Sequence, residues 1–224
     1  MNSNRKSYSW QRVNCSYEKG LYMRIERVES LDKRKRKVFT DEDFAFLLYN
    51  GELEKYGVCE GAVLEERTER ELLDLLSRRA HERALNLLKV QDRTEGEMCR
   101  RLFQDGYPDS IVQETIGFLQ EYHFVDDARY AANYLQVHGK RKSQAELKLY
   151  LQRKGISREI IREQLEETEH DSGEAIRVLL EKKHYRAGET APEEEKKIIA
   201  YLMRRGFSWE DIRREMKEQE DALS

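Results

Sequence analysis

Three glycines set the frame of this 224-residue chain: Gly106, Gly155 and Gly206 lie 49 and 51 residues apart and sit in matching surroundings, Gln104-Asp105-Gly106-Tyr107, Arg153-Lys154-Gly155-Ile156 and Arg204-Arg205-Gly206-Phe207. Four residues before each stands Leu102, Leu151 or Leu202, six after it Val112, Ile161 or Ile212, and ten after it Ile116, Leu165 or Met216. Apolar positions repeating at helical spacing around a fixed punctuation residue predict tandem helical units, each too small to stand alone. Such arrays present extended surfaces to partners and rarely enclose a reaction site.

The local signals agree. Thr94-Glu95-Gly96-Glu97 and Ser143-Gln144-Ala145-Glu146, each twelve residues before its glycine, read as capping boxes in which the hydroxyl accepts an N3 amide and the Glu returns to the cap amide. Each predicts a helix of about eleven residues, stopped by a left-handed glycine. The third copy has Glu194 at that place and offers Thr190-Ala191-Pro192-Glu193 four residues earlier, predicting a middle helix one turn longer with Pro192 in its first turn. New helices start at Pro108-Asp109, Ser157 and Ser208, and Asp126 or Asp127 caps another. Stacking against neighbouring units is expected to supply the missing core.

Before this region the pattern differs. Leu21, Met23, Ile25 and Val28 alternate with charged residues, Val38-Phe39 follow the basic run Lys33 to Lys37, and Phe44, Phe46 and Leu48 alternate beyond a turn at Thr40-Asp41-Glu42-Asp43. This predicts a small meander of two or three strands. Asn50 is expected to cap a short helix through Tyr56, ended by Gly57, and helical spacing takes over from Thr68. The predicted fold is mainly α: an elongated array of three tandem three-helix repeats after a small β element. Its expected divisions are a flexible basic arm over 1–19, the β element over 20–66, and repeats over 67–124, 125–170 and 171–224.

The chain carries 38% charged residues, with 12 glycines and 2 prolines, which suits many helices with wide solvated faces. Three cysteines, Cys15, Cys59 and Cys99, show no C-x-x-C spacing and read as reduced, mostly buried thiols of a cytoplasmic protein. No apolar run approaches the length of a membrane span. The histidines, His81, His123, His138, His170 and His184, are scattered and read as solvated or boundary residues rather than metal ligands. Gly139-Lys140-Arg141-Lys142-Ser143 lacks the first glycine and preceding strand of a phosphate loop. No active site, metal site or cofactor is assigned.

Cations are the better candidates for binding. Arg93, Arg100 and Arg101, then Lys140, Arg141, Lys142, Arg153 and Lys154, then Arg204 and Arg205 occupy helix starts or the last turns of the middle helices. A cation in a last turn is also what the helix dipole favours, so each dibasic pair has a purely structural explanation. Lys140-Arg141-Lys142 lies before a helix N-terminus, where cations are repelled, and therefore points to a partner. Tyr134, Tyr150, Tyr185 and Tyr201 add stacking surface or line the core edge.

The sequence resembles the bacterial RecX recombination regulators. The resemblance rests on Leu87-Leu88 with Asp92-Arg93-Thr94-x-x-Glu97, on Gly106-Tyr107, and on the hallmark Phe124-Val125-Asp126-Asp127-Ala128-Arg129-Tyr130-Ala131. It continues through Lys142-Ser143, Lys154-Gly155-Ile156 and Arg205-Gly206-Phe207, spanning about Leu72 to Lys217. Two departures stand out: Gln91 where the family often has arginine, and His123 in place of the usual glycine before Phe124.

The resemblance implies a non-enzymatic, monomeric modulator of RecA that binds the filament formed on single-stranded DNA, lies along its groove, and reduces ATP hydrolysis and strand exchange. The ten cations named above are then the expected contacts to RecA or DNA. A stand-alone, salt-sensitive nucleic-acid binder using the basic arm and Lys140 to Lys142 is the competing expectation.

Overall fold

The computed structural model describes residues 23–41, 45–168 and 172–222. The expected arm, Leu21, Phe44, His170, Cys15 and most of the turn after Thr40 lie outside the described residues.

Strands β1 (Ile25–Ser30), β2 (Lys35–Thr40) and β3 (Ala45–Tyr49) form an antiparallel meander in the order β1-β2-β3, with Val28 opposite Val38 and Val38 opposite Phe46. Alternation puts Ile25, Val38, Phe46 and Leu48 on one buried face. Helix α1 (Asn50–Tyr56) stops at left-handed Gly57, as expected, but Tyr49 rather than Asn50 holds the cap position. The Glu52 carboxylate accepts the Tyr49 amide at 2.9 Å, so a residue inside the helix supplies the cap.

Helix α2 (Glu66–Leu88) is one continuous rod of 23 residues joining the β element to the repeats. Leu72, Leu76 and Ala80 cover the sheet, while Ala84, one turn on along the same stripe, enters the next core. Unit one is completed by α3 (Glu95–Gln104) and α4 (Asp109–Glu121). Unit two comprises α5 (Asp127–His138), a 3-10 turn at Gly139–Arg141, α6 (Gln144–Lys154) and α7 (Arg158–Glu167). Unit three comprises α8 (Gly173–Lys182), α9 (Pro192–Arg204) and α10 (Trp209–Asp221). The protein is thus mainly helical, with a small sheet ahead of three tandem three-helix units.

Most predicted punctuation is present. Thr94 and Ser143 close capping boxes, and Asp126, Ser157 and Ser208 accept amides at their helix starts. Gly106, Gly155 and Gly206 are all left-handed, with φ of 86°, 98° and 85°. His123 adopts φ 55°, so this joint holds a left-handed backbone at a histidine. The third box fails: Ala191 occupies the cap position without a side-chain acceptor, and the Thr190 hydroxyl instead accepts the Arg186 amide at 2.8 Å. Pro192 still opens α9, which runs 13 residues against 10 in α3 and 11 in α6. Of the cysteines, Cys99 is half-buried but Cys59 is exposed, contrary to the expected burial.

The principal difference from expectation lies between units. Each has its own apolar core: Met98, Leu102, Val112, Ile116 and Leu119 in the first, Ala131, Leu135, Leu147, Leu151 and Ile161 in the second, and Ile176, Leu180, Ile198, Leu202 and Ile212 in the third. The units meet through polar groups and close backbones, because helix ends face each other there and helix ends carry unsatisfied carbonyls and amides.

Candidate partner interface along the unit joints

Each joint sets the capping box of one unit against the end of the next unit's middle helix. The Thr94 hydroxyl accepts the Glu97 amide at 3.2 Å and donates to the Lys154 carbonyl at 2.6 Å. Ser143 repeats this, accepting from Glu146 at 3.2 Å and donating to the Arg205 carbonyl at 2.6 Å. Both hydroxyl residues are fully buried, so one oxygen satisfies two helix ends that water does not reach. Backbones approach closely enough that a β-carbon on Gly206 would stand 2.3 Å from the Ala145 methyl.

The box glutamates also bind cations across the joints. Lys154 Nζ lies 2.7 Å from Glu97, and Arg205 lies 2.9 Å from Glu146. Each cation rests near a tyrosine four residues earlier on its own helix, Lys154 at 5.5 Å from the Tyr150 ring centre and Arg205 at 6.0 Å from that of Tyr201. Hydrogen bonding to Glu97 pushes the Lys154 pKa above the ordinary lysine range, and bonds to Tyr201 and Glu146 raise that of Arg205. At the joint between the sheet and unit one, Arg79 from α2 pairs with Glu52 and lies 4.9 Å from the Tyr49 ring centre.

This geometry divides the ten cations picked out by sequence. Lys154 and Arg205 hold joints together. Arg153 and Arg204, one residue earlier, are exposed and make no ion pair or hydrogen bond among the described residues. The period does not carry a cation into unit one, where Asp105 takes the position before the glycine and binds Arg83 at 2.7 Å and Arg101 at 3.3 Å. Arg100 and Arg101 are therefore out of register with the later pairs. Arg79 reaches the sheet joint from α2, so α3 needs no cation at its end.

Lys140 and Arg141 are exposed in the 3-10 turn without ion pairs among the described residues. Lys142 folds back, donating to the Tyr134 hydroxyl at 2.6 Å and lying 5.1 and 5.4 Å from the Tyr134 and Tyr150 ring centres. Those rings stack at 4.0 Å and 5°. The turn thus exposes two of its three cations and anchors the third. Burial, followed by the charges of Lys142 and Arg141, lowers the His138 pKa below its usual range.

Arg93, Arg100 and Arg101 converge on an open cleft of about 400 Å³, also lined by Leu87, Glu97 and Gln104. Arg100 donates to the Lys154 carbonyl at 3.2 Å, which places the cleft against the joint. Sequence reasoning picked the arginines but missed Leu87, Gln104 and the box glutamate as a shared surface. Leu87 at the end of α2, Arg93 before α3 and four residues of α3 assemble it. It also missed the exposed rings of Tyr122 and Phe124, which extend from the stacked pair Phe118 and His81.

Among the described residues no three His, Cys, Asp or Glu side chains group to hold a metal ion, and no helix is long and apolar enough to cross a membrane. The class defined by fold and interface is a tandem array of three-helix units with polar joints and cationic side chains along them. Family models for the first, second and third three-helix domains of RecX match residues 80–119, 126–165 and 171–216. The chain belongs to the RecX family.

Curated relatives agree. The regulatory protein RecX of Clostridium acetobutylicum is 27% identical over 203 residues, covering 87% of this chain and 95% of its own length. That of Geobacillus kaustophilus is 33% identical over 139 residues, covering 60% and 52%. A crystal structure of regulatory protein RecX superposes with a TM-score of 0.60 at 22% identity, over 87% of this chain and 99% of that one. The structure of RecX from Lactobacillus salivarius gives 0.56, also at 22% identity, over 65% and 97%. These likenesses establish the fold.

Proposed function

We propose that this chain is a non-catalytic regulator that binds RecA and its filament on single-stranded DNA and lowers ATP hydrolysis and strand exchange. The supporting observation is the division of its cations, some locked into the joints and others, Arg153, Arg204, Lys140 and Arg141, held outward on the rigid frame those joints make. Several weak contacts on one body reinforce each other through effective concentration, and a filament offers the matching series of identical protomers. The same reading takes the chain as a cytoplasmic monomer needing no cofactor or metal, divided into a 1–19 arm, a 20–66 β element and units over 67–124, 125–170 and 171–224. Arg93, Arg100, Arg101, Lys142, Lys154 and Arg205 complete the proposed contact set, the last three through structure as much as charge.

The test is the DNA-dependent ATPase of RecA titrated with this protein. Inhibition that saturates as the protein approaches filament protomer concentration is expected, and an unchanged rate at equimolar protein refutes the reading. The stacked Tyr134 and Tyr150 beneath Lys142 favour a second reading, a stand-alone binder of single-stranded nucleic acid, since aromatic platforms beside cations suit bases and phosphates together. Affinity for an oligonucleotide that falls steeply with salt in the absence of RecA supports it.

A further inference from the structure

We propose that the cleft between Arg93, Arg100 and Arg101 is a phosphate-binding site. It rests on the proposed nucleic-acid contact only for the source of the phosphate, because the cleft's chemistry is independent of RecA.

Uncompensated charge comes first. Glu97 on the cleft wall is neutralised by Lys154 at 2.7 Å, and Asp105, the residue after Gln104, by Arg83 at 2.7 Å as well as Arg101. The three guanidinium groups therefore face a shared volume of about 400 Å³ with positive charge left over. Like charges in excess of their counter-ions repel, so the arrangement favours an added anion.

Unused hydrogen-bonding capacity comes second. Nε of Arg93 and Nε of Arg101 are buried without a hydrogen-bond partner, and the Arg93 guanidinium has no ion pair or hydrogen bond among the described residues. Both Nε atoms are closed to solvent, so a ligand in the cleft would meet the terminal guanidinium nitrogens of these side chains. Arg100 is already fixed by its bond to the Lys154 carbonyl, so part of the ordering is complete before any ligand arrives. Guanidinium groups match phosphate oxygens in pairs, Gln104 offers a neutral amide, and Leu87 keeps one wall dry.

The shared chemistry is a phosphate group, whether free or within a polynucleotide backbone. Continuity favours the polynucleotide: Lys154 adjoins the cleft and the Tyr150 ring, and Tyr150 continues into Tyr134 and Lys142. A carboxylate-rich protein segment would use the arginines but has no need of the stacked rings.

The experiment follows the arginine Nε–H resonances of the full-length protein by NMR while inorganic phosphate replaces chloride at constant ionic strength. Saturable shifts of Arg93 and Arg101, with Arg67 on the exposed face of α2 unaffected, are expected. Arg93→Gln should weaken phosphate at least about tenfold, the loss of one charge-assisted bond. Arg93→Lys, which keeps the charge and the fold, should recover only part of it, and Lys140→Gln with Arg141→Gln should change nothing. A 15-residue oligothymidylate that saturates the same signals at lower phosphate concentration assigns the source to a polynucleotide, and one that is no better than free phosphate assigns it to small phosphates. Either upholds the site. Absence of a saturable shift, equal affinity in Arg93→Gln, or a response to polyglutamate alone overturns it. Failure to inhibit RecA would leave this result untouched, because the titration contains no RecA.

Discussion

The hydroxyl of Thr94 donates to the carbonyl of Lys154 across 60 residues of sequence, at 2.6 Å, while accepting the Glu97 amide at 3.2 Å. A residue whose local role is to start a helix therefore also ends another. The same double use by Ser143 and Arg205 makes this the mechanical link from unit to unit.

Thr94→Val keeps the shape and removes both bonds. The lost cap costs about 1 kcal/mol, and the stranded Lys154 carbonyl costs about 1 to 3 kcal/mol more. Urea unfolding should show a loss of about 2 to 4 kcal/mol, with amide exchange accelerated in the last turn of α6. Thr94→Ser, which keeps the oxygen, should retain most of the stability.

Gly206 is left-handed at φ 85° and abuts Ala145, so Gly206→Ala meets two separate penalties. Backbone strain contributes about 1 to 2 kcal/mol, and overpacking about 1 to 3 kcal/mol. Adding Ala145→Gly should relieve the collision while leaving the strain. A double-mutant cycle with no coupling between these positions would remove the joint contact from the account.

The junction of units one and two holds a second pair, in which the Glu95 amide donates to Asp127 at 2.8 Å and the Glu95 carboxylate accepts from Gln120 at 2.9 Å. Burial, then the Asp127 charge, raises the Glu95 pKa above its ordinary 4.5, and burial is the main cause of the rise of Asp127 above 3.8. A carboxyl raised on folding holds its proton more tightly in the folded state. Its contribution is full below the unfolded value and is lost as pH rises through the folded one. Glu95→Gln should therefore gain stability relative to the parent as pH rises above the ordinary 4.5 of a glutamate, measured as the difference in urea midpoints. A difference that is flat with pH contradicts the assignment.

Arg153 and Arg204 are exposed without partners among the described residues, while their neighbours Lys154 and Arg205 bind Glu97 and Glu146. Arg153→Gln with Arg204→Gln should leave the melting temperature within about a degree, as surface changes do, yet weaken inhibition of the RecA ATPase severalfold. Lys154→Met should lower the melting temperature by several degrees by stranding Glu97 at the joint. Equal loss of inhibition from both, after correction for folded fraction, would mean that charge exposure does not select the contact residues.

Much of the fold was legible because its rules are local. Glycine punctuation, the Thr94 and Ser143 boxes, the Ser157 and Ser208 caps and the apolar stripes each depend on residues within one or two turns of each other. Where the sequence misled, a competing bond equally close in the chain had won: the Thr190 hydroxyl accepts the Arg186 amide, and Glu52 accepts the amide of Tyr49, which holds the cap position expected of Asn50. The candidate cations were visible as charges, but their roles were not.

What the sequence by itself determined is the number of units, their helical character, their stops and starts, and the family. What only the tertiary structure decided is which side chains remain available. Lys154 and Arg153 are adjacent and alike in chemistry, yet helical rotation of about 100° per residue turns one into a joint and the other into solvent. Likewise Arg93, Arg100 and Arg101 line one cleft only when the turn after α2 sets α3 beside Leu87. Electrostatic and hydrogen-bond energies depend on distances that a chain acquires after folding, and composition does not contain them.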